Sequence, residues 1–147
     1  SLTDVLAAAG ASGPSLEPTL RSEADRVGLD PELLDRPLNV DLSGGEKKRT
    51  ETVQLAVLDR SLAILDEVDS GLDVDGMRLV SRRVAELVTE RNLGVLAITH
   101  YQRLLDYIKP DFVHVMMGGR IVESGGPDLA VSLEERGYDW IREKAEA

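Results

Sequence analysis

The stretch LSGGEKKRTETVQLAVLDRSLAILDE, residues 42–67, decides the architecture of this 147-residue chain. Ser43 is a residue type that caps helices, and two glycines follow it with no side chain over their amides. From Gly44 the sequence is helical, with Val53, Leu55, Ala56 and Leu58 giving the later turns an apolar side. Residues 62–67, LAILDE, are a short apolar run ending in two acids, which suits a buried parallel strand. A helix feeding a buried strand is the first half of an α/β pattern.

Working outward, the alternation continues. VDGMRLVSRRVAELVTER places Met77, Val80, Val84, Leu87 and Val88 on one helical face, and LGVLAITH is a second buried strand. YQRLLDYI is a short helix stopped before Pro110. FVHVMMGGRIVESGG carries Gly118-Gly119 between two β-rich runs, a hairpin signal. The last helix, LAVSLEERGYDWIREKAEA, is expected to break at Gly137. Upstream, SLTDVLAAA and LEPTLRSEADRVG are helical pieces around the loop ASGPS, Asp30-Pro31 starts PELLDR, and RPLNVD is extended. The fold class is therefore α/β: helices, then a partly parallel sheet with flanking helices and a C-terminal β-hairpin.

Composition narrows the function classes. With 27 acidic and 17 basic residues the net charge is −10, which argues against a general nucleic-acid binder. The absence of cysteine removes disulfides, thiolate catalysis and cysteine-ligated clusters. No apolar run approaches the roughly 20 residues that span a bilayer, and no basic leader precedes the first helix, so a cytoplasmic address and no direct membrane insertion are expected.

The chemistry-bearing residues gather around the strand ends. Asp66 and Glu67 arrive at the C-terminal end of the first strand, where α/β sheets bind ligands. One can hold a hydrated Mg²⁺ and the other can polarise a water, while the bland reading is two acids meeting solvent. SGLD, residues 70–73, is a tight turn in which Asp73 is placed to cap the following helix. His100 lies just past the second strand, on the same rim as Asp66 if the strands are parallel; a hydrogen bond to a phosphate and a plain junction histidine both fit. His114 falls mid-strand and takes a structural role. At Ser43-Gly44-Gly45 the orphan amides and the helix dipole favour an anion, and Glu46 suits the first turn. Lys47, Lys48 and Arg49 oppose the dipole there, so a nearby anion, a partner surface or a solvated face remains open for them.

In this order and spacing, LSGGE, LAILDE, SGLD and ITH resemble the signature, Walker B strand, D-loop and switch-histidine loop of ABC-type ATPases. LSGGEKKR, LDEVDSGLDVDGMRLV, ITHYQRLLDYIKPDFVHVMMGGRIVESGG and LEERGYDWI are most similar to SufC, the ATPase family of SUF iron–sulfur cluster assembly. The resemblance covers nearly the whole chain, more loosely before Asn39. It implies that Ser43, Gly44, Gly45 and Glu46 form the signature face toward the γ-phosphate of ATP held by the opposite subunit. It makes Asp66 the support for Mg²⁺, Glu67 the general base, Asp73 the residue communicating across the dimer, and His100 the γ-phosphate sensor. The implied partners are SufB/SufD-type scaffold subunits and a second, head-to-tail copy of the ATPase.

One departure from that pattern is large. The phosphate-cradling G-x-x-x-x-G-K-[ST] loop occurs nowhere in the 147 residues, nor do the glutamine loop and the adenine-stacking aromatic of such enzymes. The expectation is a C-terminal piece of an ABC ATPase (P-loop NTPase-like) domain, with a partial helical subdomain at 1–41 and the signature helix and C-terminal half of the core at 42–147. The chain alone is then expected to be inactive, with an unpaired sheet edge and an exposed apolar face. Two other readings are an ATP-binding subunit of an ABC transporter and a non-hydrolytic module docking on Suf scaffolds. A DNA-repair ATPase lobe is disfavoured by the acidic charge and the lack of heptads in the first forty residues.

Overall fold

In the computed structural model, residues 2–11, 13–37, 40–100 and 103–146 are described, and they form two compact units, Ser1–His100 and Tyr101–Ala147. The first unit runs α1 (Leu2–Ala8), α2 (Leu16–Arg26), a 3-10 turn (Pro31–Asp35), α3 (Gly44–Val57), β1 (Leu62–Asp66), α4 (Val74–Arg91) and β2 (Gly94–Ile98). The second runs α5 (Arg103–Tyr107), β3 (Val113–Met117), β4 (Arg120–Gly125), α6 (Pro127–Arg136) and α7 (Asp139–Glu146). The element order is the one read from sequence. Leu38, Asn39, Tyr101 and Gln102, which belong to the expected extended segment and short helix, lie outside the described residues.

β1 and β2 pair in parallel from Leu62↔Gly94 to Asp66↔Ile98, with α4 as the connection between them. Because side chains alternate, Ala63, Leu65 and Val95 face inward and join Leu55 and Ala56 of α3 and Leu87 of α4 in one core. The other face carries Leu62, Ile64, Leu96 and Ile98, each between 51% and 64% exposed. The strands were expected to be buried on both faces, and only one is. An exposed apolar face on this sheet agrees with the expectation drawn from the sequence.

A second core joins the first forty residues to α3. Leu2 and Leu6 of α1, Leu20 and Ala24 of α2, and Leu34 of the 3-10 turn pack with Val53 of α3. This core spans residues on both sides of position 41. Asp30 caps the 3-10 turn as expected, its Oδ1 accepting from the Glu32 amide at 3.0 Å. In the second unit, β3 and β4 form an antiparallel hairpin turned by Gly118 (φ +54°) and Gly119 (φ +76°). Two successive positive φ values match the strand twist and are readily reached only by residues such as glycine. Val115, Leu133 and Ile141 form the core beneath it, and Gly137 separates α6 from α7.

α4 departs from its sequence reading in one respect. Met77, Val80, Val84 and Leu87 are buried, but Val88 is 36% exposed, and Arg83 takes an interior place instead at 2%. The guanidinium is held by Glu23 of α2, whose two oxygens accept at 2.6 and 3.0 Å, and by Glu86 and Glu90 at 3.3 and 3.0 Å. Arg26 completes the network against Glu23, Glu86 and Glu90. Burial alone would lower the Arg83 pKa, but the hydrogen bonds to Glu23 and Glu90 overcome it and hold the cation charged. A buried charge is tolerated only when so compensated. Replacing Glu23 with Ala should therefore destabilise the protein by about 3 kcal/mol in urea unfolding. The double change to Met at Glu23 and Arg83 should recover most of that loss; a single change costing nothing would show that the network does not fasten α2 to α4.

Candidate functional site

The parallel register carries the strand-end residues to one rim. Past the last β1–β2 pair, the Glu67 amide donates to the Ile98 carbonyl at 2.8 Å, which extends the ladder by one step. His100 follows two residues after β2, and its Nδ1 lies 3.2 Å from Glu67 Oε1. Glu67 has φ +47°, a left-handed backbone that is unfavourable for a side-chain-bearing residue. Strain of this kind persists only where surrounding contacts impose it, and it clusters at functional sites. Both side chains are exposed, as is Asp66.

Lys48 reaches this rim from α3. Its Nζ donates to the Asp66 carbonyl at 3.2 Å and sits 3.2 Å from Glu51 Oε2. The base that opposed the helix dipole in the sequence thus serves inside the chain, tying α3 to the end of β1. Asp69 is a further rim residue that sequence reasoning missed. It is buried, its Oδ2 accepts from the Thr99 hydroxyl at 2.9 Å, and its Oδ1 has no hydrogen-bond partner among the described residues. A buried aspartate in a polar turn carries no periodic signal, so nothing in the pattern marked it.

The start of α3 is built as a reciprocal cap. Ser43 Oγ accepts from the Glu46 amide at 3.3 Å, and Glu46 Oε2 accepts from the Ser43 amide at 2.7 Å. The hydrogen bonds from Ser43 hold the Glu46 carboxyl below its ordinary value of 4.5. Among the described residues this leaves the amides of Gly44 and Gly45 for another acceptor, on an exposed to half-buried helix start. Behind them sits the tight turn at 70–73. A Cβ on Gly45 would lie 3.0 Å from the Gly71 carbonyl oxygen, and one on Gly71 (φ +75°) would lie 3.4 Å from Gly44. Backbone meets backbone there, so Gly45 fits tightly, and the left-handed φ of Gly71 adds strain for any side chain at that position.

Asp73 caps α4 as its sequence position suggested, Oδ1 accepting from the Gly76 amide at 2.7 Å. The same oxygen lies 3.5 Å from Arg49 Nη2. Arg49 Nη1 donates to the Gly28 carbonyl at 3.1 Å, beyond the end of α2. The structure therefore forms two groups from the sequence-predicted site: Asp66, Glu67 and His100 at the sheet rim, and Ser43, Gly44, Gly45, Glu46 and Asp73 where α3 meets α4. His114 lies on the hairpin, its Nδ1 2.8 Å from Ser124 Oγ across the β3–β4 pair. Among the described residues no group of three or more His, Asp or Glu side chains is arranged to hold a metal ion. Asp66 offers one open carboxylate, which fits a partial share in a magnesium site but not a complete one. Among the described residues no helix is long and apolar enough to cross a membrane.

This chain is 52% identical over 124 residues to the probable ATP-dependent transporter ycf16 of Cyanophora paradoxa, covering 84% of this chain and 48% of that protein. It is 56% identical over 116 residues to vegetative protein 296 of Bacillus subtilis, covering 79% of this chain and 44% of the relative. It is 51% identical over 133 residues to the chloroplastic ABC transporter I family member 6 of Arabidopsis thaliana, covering 87% of this chain and 39% of the relative. The chain spans about half the length of the curated relatives it matches. No protein-family model matches it. Among solved structures it resembles cbiO1 of Clostridium perfringens, part of the ABC transporter complex cbiONQ, with TM-score 0.64 and 26% identity over 95% of this chain and 55% of that one. It also resembles a chain in the complex of the archaeal stalk protein aP1 with the ribosome recycling factor aABCE1, with TM-score 0.71 and 25% identity over 93% of this chain and 26% of that one. The α/β fold is that of the C-terminal part of ABC ATPase domains, and the sequence is related to ABC ATPases.

The reciprocal cap has a pH signature. Because the folded-state pKa of Glu46 is depressed, its contribution is present above pH 4.5 and is lost as pH falls through the lower folded value. Glu90 behaves likewise, its pKa lowered by the Arg83 hydrogen bond. Melting temperature should therefore drop on acidification below about 4.5, and Glu46→Gln should flatten that acid limb. An unchanged acid limb in the variant would show that the cap contributes nothing to acid stability.

Proposed function

We propose that this chain is the C-terminal portion of an ABC-type ATPase of the SufC kind, coupling ATP binding and hydrolysis to iron–sulfur cluster assembly. The observation that carries the ATPase reading is the Glu67–His100 pair, 3.2 Å apart at the C-terminal end of two parallel strands. In that role Glu67 accepts a proton from the water that attacks the terminal phosphate, and the His100 ring donates a hydrogen bond to the phosphate oxygen. Mg²⁺, when bound, neutralises charge on the phosphates, and Asp66 supports it largely through water. The amides of Gly44 and Gly45, with Ser43, bind the terminal phosphate of a nucleotide seated in a second, head-to-tail subunit. Glu46 holds that helix start in shape, and Asp73 lies at the same junction to communicate across the dimer.

The SufC assignment rests on sequence likeness in LDEVDSGLDVDGMRLV and in the segment from ITHYQRLL to IVESGG. SufB/SufD-type scaffold subunits are the matching partners. A second reading, the ATP-binding subunit of a transporter, is favoured by the names of the relatives, which include ATP-dependent transporters. Affinity purification of the full-length protein from its host separates the two: scaffold subunits should accompany it, whereas membrane-spanning subunits would support the transporter.

The catalytic half of the proposal has a direct test. In the full-length protein, Glu67→Gln should cut ATP turnover by at least about 100-fold while nucleotide binding stays within a few-fold of the parent. Turnover that survives the change would take Glu67 out of the base role.

A further inference from the structure

Arg49 is the charged residue of the LSGGEKKR stretch whose surroundings the proposed reaction leaves unexplained. Its side chain is turned inward rather than into solvent. Nη1 donates to the Gly28 carbonyl beyond α2, Nη2 lies 3.5 Å from Asp73 Oδ1, and Nε is buried without a partner among the described residues. A guanidinium is a rigid fork, so contacts at its two ends fix the distance between what they touch. Those two ends are the close of α2 and the N-cap of α4, while the stem belongs to α3.

The neighbourhood is built to admit it. A Cβ on Gly76 would fall 2.7 Å from Arg49 Nη2 and 2.7 Å from Asp73 Oδ1. Glycine in the first turn of a helix weakens that helix, yet here it leaves the room the guanidinium occupies. The second link between the same elements is the seating of Gly71 on Gly44 and Gly45. Together they make the helix start at 43–45 and the turn at 70–73 a single body, braced from behind by α2.

We propose that Arg49 is a positioning residue for ATP hydrolysis: by bridging Gly28 and Asp73 it holds the 70–73 turn against the phosphate-facing start of α3. This rests on the ATPase reading above. It touches no substrate itself and acts through Asp73, so its loss should disturb the closed, hydrolysing arrangement and leave first binding of nucleotide alone.

The test is made in the full-length protein with Arg49→Met, Arg49→Lys, Asp73→Asn and the Met/Asn double variant, measuring ATP turnover and the amide hydrogen exchange of residues 71–76. Arg49→Met should lower kcat by roughly 10- to 100-fold, the scale of a misplaced catalytic element, with KM within about threefold and faster exchange at 71–76. Arg49→Lys should recover part of both, and the double variant should be no worse than the poorer single one. Should Arg49→Met fail to fold, Asp73→Asn keeps a cap acceptor for Gly76 while removing the charge, and must show the same kcat loss and faster exchange. Normal kcat with normal exchange, or losses that multiply in the double variant, would overturn the proposal. A parent protein that turns over no ATP sinks the ATPase reading, and the proposal that rests on it; unchanged exchange would then also deny the bridge.

Discussion

The parallel register of β1 with β2 is the constraint on which the rest depends. Asp66 opposite Ile98, with the Glu67 amide on the Ile98 carbonyl, sets His100 beside Glu67. A slip of one residue would reverse which face each side chain occupies. With β2 held in place, Ala63 and Leu65 would leave the core under α3 and α4, and Leu62 and Ile64 would enter it beside Val95. The hydrophobic pattern that secures the core therefore also secures the meeting of a carboxylate and an imidazole 33 positions apart.

Around that register the chain uses charge internally where the sequence suggested display. Lys48 is spent on the Asp66 carbonyl and Arg49 on Gly28 and Asp73. Arg83 is enclosed by Glu23, Glu86 and Glu90. Lys48, Arg49 and the Arg83–Glu23 pair each join a helix to another element, so polar links complement an apolar core with few aromatics. Their value lies in geometry more than in energy, since exposed pairs contribute little and buried ones must first offset desolvation. The helix start at 43–45 consequently arrives already shaped, with Glu46 and Ser43 bonded to each other and Gly71 behind the two glycines.

Much of this was legible in the sequence because it is local. Strand ends, the breaks at Gly118-Gly119 and Gly137, and the caps at Asp30, Ser43 and Asp73 depend on residues within four positions of one another. The Glu23–Arg83 pair spans 60 positions, and helical periodicity assigns both residues to solvent-facing types. Asp69 and the left-handed Glu67 were hidden for a related reason: burial and strain in a turn follow from what packs on it. The outward apolar face of β1 and β2 was foreseeable only by way of the family resemblance, because an apolar strand by itself reads as buried on both sides.

On the proposed function, these residues form one half of a nucleotide site that a phosphate-cradling loop, absent from the 147 residues, must complete. Mg-ATP hydrolysis and calorimetric binding, compared between the 147-residue chain and a form extended upstream through such a loop, test it most directly. The extended form should hydrolyse ATP, and the 147 residues alone should show neither turnover nor micromolar binding. Turnover by the shorter chain, or none by the extended one, would overturn the half-site reading.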